Sequence, residues 1–267
     1  MSVLGKLFRK EVKVVAQVTA LQADKSLENK KIIVTGGNRG LGLAIARAAA
    51  GKGADVLIAA RNEEELKNRA QEIGCKYCML DLCDIQSFDS FISTASGLLG
   101  GLDCLVNNAG VSLHEADYDQ VTPESFDIQV NTNIKGGFFL TRSFVNYLRQ
   151  NGRKGNVLFI SSETGETPDI RPYGWTKAAV NSMVQGMAYR LAPEGIRVNA
   201  LAPGICATDM TGMSESNLAR NDSPVGRVYL PMEMAEIAAF LLSDVSGSIS
   251  GQIITCNNGK TINARWR

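Results

Sequence analysis

The sequence shows almost no excess of charge of either sign: 28 lysines and arginines face 27 aspartates and glutamates among 267 residues. A net charge of +1 creates no broad cationic field. That excludes binding of a nucleic-acid backbone or an anionic membrane as the main activity and leaves only a local basic patch open. Long hydrophobic runs are missing too. No apolar stretch approaches the roughly 20 residues that span a bilayer, so no integral membrane segment is expected. Histidine is nearly absent, with His114 its one example. Cys75, Cys78 and Cys83 are followed by no second cysteine pair, so a zinc knuckle lacks its ligands and no metal site is expected. These three are read as buried strand thiols, with a Cys-x-x-Cys redox pair as the alternative. No secretory leader precedes the six cysteines, which points to the cytoplasm.

What is present is a 45% hydrophobic chain with the composition of a folded domain, which rules out disorder and collagen-like repeats. Residues 1–29 stand apart. Leu4, Leu7, Phe8, Val12, Val15 and Val18 recur at helical spacing, with Lys6, Arg9, Lys10 and Lys13 between them. The pattern predicts an amphipathic helical extension, docked on protein or weakly attached to a membrane surface. From residue 30 to 267 the chain reads as one domain in which short β-branched runs alternate with helical segments and prolines are few. Strands are predicted at Lys31–Thr35, Asp55–Ala60, Lys76–Leu80, Asp103–Asn107, Gly155–Ser161, Ile196–Leu201 and Gln252–Thr255. Helices are predicted at Leu41–Lys52, Glu63–Ile73, Ile85–Leu98, Pro123–Gln150, Tyr173–Leu191 and Met232–Leu242. Strands joined by such crossovers are parallel. The fold class is therefore α/β, a doubly wound Rossmann domain with a seven-stranded parallel sheet flanked by helices.

The first strand runs into Thr35-Gly36-Gly37-Asn38-Arg39-Gly40-Leu41-Gly42 and then into an Ala-rich helix. Glycines let a turn come close to a pyrophosphate, whose charge is favoured by the free N–H groups and dipole at the helix start. Strand, glycine turn and helix in this order point to a dinucleotide. At the end of the second strand, Ala60 stands where a carboxylate would bind a ribose hydroxyl. Arg61, with Arg39, can instead pair with a 2′-phosphate. NADP(H) is preferred to NAD(H) on this ground. Ordinary surface arginines, with Asn62 and Glu65 forming a capping-box-like helix start, are the alternative.

These motifs resemble the short-chain dehydrogenase/reductase family, and the resemblance runs from about Lys30 to Gly259. Thr35-Gly-x3-Gly-x-Gly matches its cofactor turn and Asp81-Leu82 its adenine-contacting position. Asn107-Asn108-Ala109-Gly110 matches its fourth strand. Asn133, Ser162, Tyr173 and Lys177 match its active site, and Asn199, Pro203, Gly204, Ile205 and Thr208 its nicotinamide-side segment. Length and motif set are similar to the 3-oxoacyl-(acyl-carrier-protein) reductase branch. The resemblance implies a ketoreductase acting on a small-molecule carbonyl or alcohol. It also implies a homotetramer or homodimer, a Lys177 that binds the nicotinamide ribose, and an Asn133 that holds a water connecting Lys177 to solvent.

The chemistry also follows from residue types. Tyr173 and Lys177, four apart, share a helix face. An ammonium at about 4 Å from a phenolate stabilises it by about 4 kcal/mol at an effective dielectric of 20, about three pK units, while burial opposes part of that. Ser162 can donate a hydrogen bond to a substrate oxygen while Tyr173 transfers its proton. Glu163, Glu166, Asp169 and Arg171, between Ser162 and Tyr173, read as solvated loop charges. Residues 209–230 read as a lid, with Met210, Met213 and Leu218 as apolar contacts, and equally as a flexible loop without ligand contacts. Cys256-Asn257-Asn258-Gly259 departs from the family's acidic residue before paired glycines. Two other functions fit less well. A catalytically idle dinucleotide sensor or scaffold is expected to lack the Tyr or Lys, and a sugar-nucleotide epimerase or dehydratase needs glycine where Arg39 stands.

Overall fold

The computed structural model describes residues 25–214 and 216–262, so the amphipathic extension proposed for the N-terminus lies almost wholly outside the described residues. Seven strands form one sheet: β1 (Lys31–Thr35), β2 (Asp55–Ala60), β3 (Lys76–Met79), β4 (Cys104–Asn107), β5 (Gly155–Ile160), β6 (Ile196–Pro203) and β7 (Ile253–Cys256). Their order is β3-β2-β1-β4-β5-β6-β7, and every pairing is parallel. The crossovers are α1 (Gly40–Gly51), α2 (Glu63–Ile73), α3 (Phe88–Leu99), α4 (Pro123–Val130), α5 (Gly137–Gln150), α6 (Pro172–Leu191) and α7 (Pro231–Leu242).

The alternation of side chains along each strand divides the core into two layers. Ile32, Val34, Val56, Ile58, Val106 and Leu158 point to the face covered by α1, α2 and α7. Ile33, Leu57, Leu105, Val157 and Phe159 point to the face covered by α3, α5 and α6. A sheet buried on both faces needs near-continuous apolar strands, which is why β1, β2, β4 and β5 carry so few polar residues.

Most other predicted limits move by at most a single residue, and three changes are larger. The strand expected to end at Leu201 continues to Pro203, because Ala202 and Pro203 pair with Thr255 and Cys256 of β7. The helix expected from Ile85 begins as a 3-10 turn at Ile85–Ser87 before α3. The single long helix expected from Pro123 to Gln150 is interrupted by a π-helical turn, Asn131–Gly136, between α4 and α5. The turn lies against the loop after β3: a Cβ on Gly136 would stand 2.7 Å from both Cβ and O of Leu82. The expectation of buried strand thiols also needs correction. Cys78 lies on β3 and is half-buried, Cys75 is half-buried ahead of it, and Cys83 is exposed in the turn beyond it. Burial pushes the thiols of Cys75 and Cys78 up, Cys75 to about 11, which disfavours thiolate chemistry there.

Phe144 on α5 is fully buried in the second layer. Phe144→Ala is expected to lower unfolding free energy by about 3–5 kcal/mol, read from the urea midpoint at constant slope; a loss below about 1 kcal/mol would contradict this packing.

Candidate functional site

In a parallel sheet all C-terminal strand ends meet at one edge, and the chain reverses its winding between β1 and β4, where ligands of such sheets bind. Here that point is closed by a clasp. Thr35 Oγ1 donates to Val106 O at 3.1 Å and accepts the N–H groups of Asn108 and Ala109 at 3.0 and 3.1 Å. Asn108 Nδ2 donates back to Thr35 O at 2.9 Å and Gly36 O at 3.3 Å. The glycine turn is folded onto this clasp. Gly36 and Gly40 have φ of +64° and +54°, a region that strains other residues. A Cβ on Gly42 would stand 2.3 Å from Gly36 O and 2.4 Å from Asn108 Nδ2.

The first turn of α1 has no side-chain cap and no acidic residue, so its N–H groups face the turn without a protein acceptor. This fits a pyrophosphate. Leu41 is half-buried beside it. Arg39 and Arg61 are exposed, and among the described residues neither forms an ion pair. Asn38 is buried, and its amide donates to Glu65 Oε2 at 2.7 Å. The expected capping box is therefore half made: Asn62 Oδ1 accepts the Glu65 N–H at 3.1 Å, while the Glu65 carboxylate turns to Asn38. Asp81 is exposed and accepts the Cys83 N–H, and Leu82 is buried.

Beyond the clasp the chain passes Gly110, where an added Cβ would lie 3.2 Å from Asn133 Oδ1 and 3.7 Å from Lys177 Nζ. The π-helical turn aims Asn133 inward. Its Oδ1 accepts the Val111 N–H at 2.8 Å, and its Nδ2 donates to Val111 O and Thr176 Oγ1. The side-chain amide is thus fully engaged in pinning the loop after β4 to α6.

Ser162, just past β5, caps a short 3-10 turn, Glu163–Glu166. Its Oγ accepts the Thr164 N–H at 3.2 Å and the Thr164 hydroxyl at 3.0 Å. Tyr173, at the start of α6, lies beside Ser162. Lys177 follows one turn on, and its buried Nζ donates to Ile160 O at 2.8 Å. The expected ammonium–phenolate pair is not made directly. Lys177 Nζ stands 5.5 Å from the centroid of the Tyr173 ring, and burial dominates both groups. Burial pushes the phenol of Tyr173 up to about 12, against the opposing effect of the nearby Ser162 hydroxyl, with the nearby Cys206 thiol adding to the rise. Burial brings Lys177 down to about 8.

Of the charges expected to be solvated between Ser162 and Tyr173, Glu166 is exposed and Arg171 half-exposed, while Glu163 and the Asp169 carboxylate are buried; all four are held by hydrogen bonds. Glu163 is buried, with its carboxylate held by Lys260 Nζ at 3.0 Å and Asn257 Nδ2 at 3.1 Å. Glu166 accepts from Thr255 at 2.6 Å and Thr261 at 3.3 Å. Asp169 pairs with Arg171, and its carbonyl accepts the Trp175 indole N–H. The departure at Asn257 therefore has a purpose: the C-terminal segment clamps the turn that carries Ser162. Asn199, fully buried on β6, holds Ile249 O and the Gln252 N–H and so orients the approach to β7. Of the lid contacts, Leu218 packs with Ala207 and Val228 in a small core of its own, joined by Met213, Ile205 and Leu230. Only Met210 stays exposed. His114 Nε2–H donates to Met210 O at 2.7 Å, tying the loop after β4 to the lid. Pro203 ends β6 and Gly204 follows it, and Thr208 lies beside Gly40. Nothing in the residue order announced Thr164, Lys260 or Thr176 as partners of the site; a Ser at the head of a short turn was the one available signal for Thr164.

Among the described residues no three metal-ligating side chains converge and no helix is long and apolar enough to cross a membrane. A parallel sheet with a glycine turn at its switch point, a Ser just past β5 and a Tyr and Lys one turn apart on α6 defines a nucleotide-binding oxidoreductase. A family model described as enoyl-(acyl carrier protein) reductase matches residues 36–261. The chain is 34% identical to general stress protein 39 of Bacillus subtilis, over 90% of this chain and 87% of that one. It is 31% identical to 3-oxoacyl-(acyl-carrier-protein) reductase of Aquifex aeolicus, over 87% and 98%. A solved 3-ketoacyl-(acyl-carrier-protein) reductase of Brucella melitensis, complexed with NADH, superposes with a TM-score of 0.82 at 31% identity, over 88% of this chain and 100% of that one. The chain belongs to the short-chain dehydrogenase/reductase family and is an oxidoreductase that works with a nicotinamide dinucleotide.

Two outcomes follow from this geometry. Removing the cation in Lys260→Met leaves Glu163 buried without its ion partner and is expected to cost about 1–3 kcal/mol of stability; an unchanged urea midpoint would contradict the clamp. Lys177 releases its proton near pH 8 when folded but near 10.5 when unfolded. Between those values the unfolded chain binds more protons, so Lys177 makes stability rise with pH across that window. Wild type minus Lys177→Met should therefore gain on the order of 2 kcal/mol from about pH 7.5 to about pH 9.5, and a pH-independent difference would exclude the burial described.

Proposed function

We propose that this protein is an NADP(H)-dependent ketoreductase, interconverting a small-molecule carbonyl and its secondary alcohol, with 3-oxoacyl thioesters as the substrate class and reduction as the working direction. The observation that carries the reading is the convergence at one sheet edge of Ser162, Tyr173, the buried Lys177 Nζ and the open glycine turn.

When bound, the nicotinamide cofactor supplies or accepts the hydride. The chain's own residues do the rest. Gly36, Asn38, Gly40, Leu41 and Gly42 seat the pyrophosphate, with the backbone rather than the amide of Asn38 facing it. Asp81 and Leu82 flank the adenine, and Arg39 and Arg61, which form no ion pair among the described residues, hold the ribose 2′-phosphate. Asn108, Ala109 and Gly110 wall the site; Pro203, Gly204, Ile205 and Thr208 border the nicotinamide side. Lys177 holds the nicotinamide ribose, and its position next to Gly110 and Asn133 connects it to the interior of the π-helical turn. Ser162 donates to the substrate oxygen, and Tyr173 gives that oxygen its proton. A phenol pushed up to about 12 keeps its proton at neutral pH, which suits the reducing direction. The positive charge of an oxidised nicotinamide lowers it for the reverse.

The protein acts in the cytoplasm as a homotetramer or homodimer. Phe126 and Trp175, in contact at 6.4 Å and largely exposed on α4 and α6, supply the apolar surface for that association.

The test is NADPH and NADH oxidation with 3-oxoacyl thioesters, gluconate-type keto sugars, quinones and simple ketones. Tyr173→Phe should lower kcat at least about 100-fold, and Arg61→Ala should raise the NADPH KM about tenfold while sparing NADH. Turnover that survives the Tyr173 change, or equal effects on both cofactors, would refute the respective assignment.

A further inference from the structure

We infer that His114 is a gating residue, whose hydrogen bond to Met210 O is a strap that opens for cofactor and substrate to enter or leave the catalytic edge. The inference rests on the ketoreductase reading above and adds the gate to it. The argument starts from the order of the sheet. Strand β5 lies between β4 and β6, so a contact from the loop after β4 to the segment after β6 passes across the C-terminal end of β5. Ser162 stands just past that end. His114 belongs to the loop after β4 and Met210 to the segment after β6, and the His114 Nε2–H donates to Met210 O at 2.7 Å. Among the described residues this is the one hydrogen bond between residues 108–117 and residues 204–230.

Both feet of the strap are anchored. On the β4 side, the Asn133 amide holds the Val111 N–H at 2.8 Å and the Val111 carbonyl at 2.9 Å. Glu115, buried next to His114, accepts from Gln129 Nε2 on α4 at 2.7 Å. On the β6 side, Met210 sits in the short 3-10 turn Asp209–Thr211, which is closed by Thr211 Oγ1 donating to Cys206 O at 2.6 Å. The joining bond is of a different kind. His114 is exposed, so water competes for its donor, and its φ of +55° lies in a region that side chains other than glycine seldom adopt. An exposed bond made by a strained residue between two fixed feet is the element of this edge that opens most readily. Leu113 and Met210, at 41% and 43% exposure, leave apolar groups beside the bond where a ligand enters.

A strap has its own kinetic signature. One that closes alike over the empty and the occupied site stabilises both states equally, so it changes how fast a ligand passes and not how tightly it is held. Binding and release both go through the open form, and the population of that form scales both rate constants together. A residue that only shapes or touches the cofactor site behaves otherwise. Its loss changes the dissociation constant, mainly through release.

The experiment follows NADPH fluorescence by stopped flow, with association over a concentration series and dissociation by a chase with NADP+, in wild type, His114→Ala, His114→Asn and His114→Gln. Asparagine tolerates a left-handed backbone but ends short of the ring Nε2, while glutamine places an amide donor at that reach. His114→Ala and His114→Asn are expected to raise both rate constants about three- to fivefold, the size of an exposed hydrogen bond, with Kd within about twofold. His114→Gln should stay within about twofold of wild type in both rates. Unchanged rates in His114→Ala and His114→Asn, a faster release with weaker Kd and unmoved association, or a glutamine variant as fast as the alanine one overturns the strap. Carbonyl reduction by wild type and Tyr173→Phe is measured beside these. Reduction that is lost in Tyr173→Phe upholds the ketoreductase reading whatever His114 does, and reduction that survives it refutes that reading while the paired rise in rates still upholds the strap.

Discussion

The clasp between Thr35 and Asn108 is the interaction on which the rest of the site depends. Parallel strands diverge where the winding reverses, and the polar groups at their ends are left without ladder partners. One threonine hydroxyl and one asparagine amide satisfy five of those groups across the gap between β1 and β4. The two strand ends are thereby held at a fixed spacing, and the glycine turn packs directly against the Asn108 amide, with no room for a side chain at Gly36 or Gly42. Polar side chains placed here cost nothing in unsatisfied hydrogen bonds, which is the condition for a buried polar network to stabilise a fold.

Farther along the same edge the physical theme changes from hydrogen-bond closure to burial. Lys177 is enclosed with a single carbonyl partner, Ile160 O, and Tyr173 lies beside it; burial drives both toward their neutral forms. Such groups are expensive to fold around, and enzymes keep them where protonation is to be traded. The cost is distributed. The clamp formed by Glu163, Asn257 and Lys260 fixes the Ser162 turn from the C-terminal side, and the Asn133 amide fixes the loop after β4 from the π-helical turn. The segment between Asp209 and Leu230 is tied in by contacts of different character, the His114 to Met210 hydrogen bond and the small core around Leu218.

Most of the architecture was legible because parallel sheets write themselves plainly into sequence. Val56-Leu57-Ile58 or Val157-Leu158-Phe159 can only be a strand covered on both sides, and β1, β2 and α2 fall at their predicted limits. The motif residues were legible because glycine turns and a Tyr-Lys helix pair depend on local spacing. What was not legible depended on contacts between distant segments. The extension of β6 follows from pairing with β7, some 50 positions later. Glu163 looked solvated because its partners, Asn257 and Lys260, lie nearly 100 residues away. The π-helical turn has no compositional mark beyond Gly136-Gly137, and its reason is the proximity of Leu82. Helical spacing likewise puts Tyr173 and Lys177 on one face but carries no sign that Ile160 O, at the end of β5, takes the ammonium, or that burial shifts both groups toward their neutral forms.

If this edge of the sheet exchanges a hydride between a nicotinamide dinucleotide and a carbonyl carbon, isotope transfer reveals it most directly. With NADPH carrying deuterium at C4 of the nicotinamide and a 3-oxoacyl thioester as acceptor, mass spectrometry of the product should show one deuterium on the new carbinol carbon, at a rate that tracks enzyme concentration. A product without deuterium at that carbon, formed from cofactor fully labelled on both C4 faces, would contradict direct hydride transfer at this site.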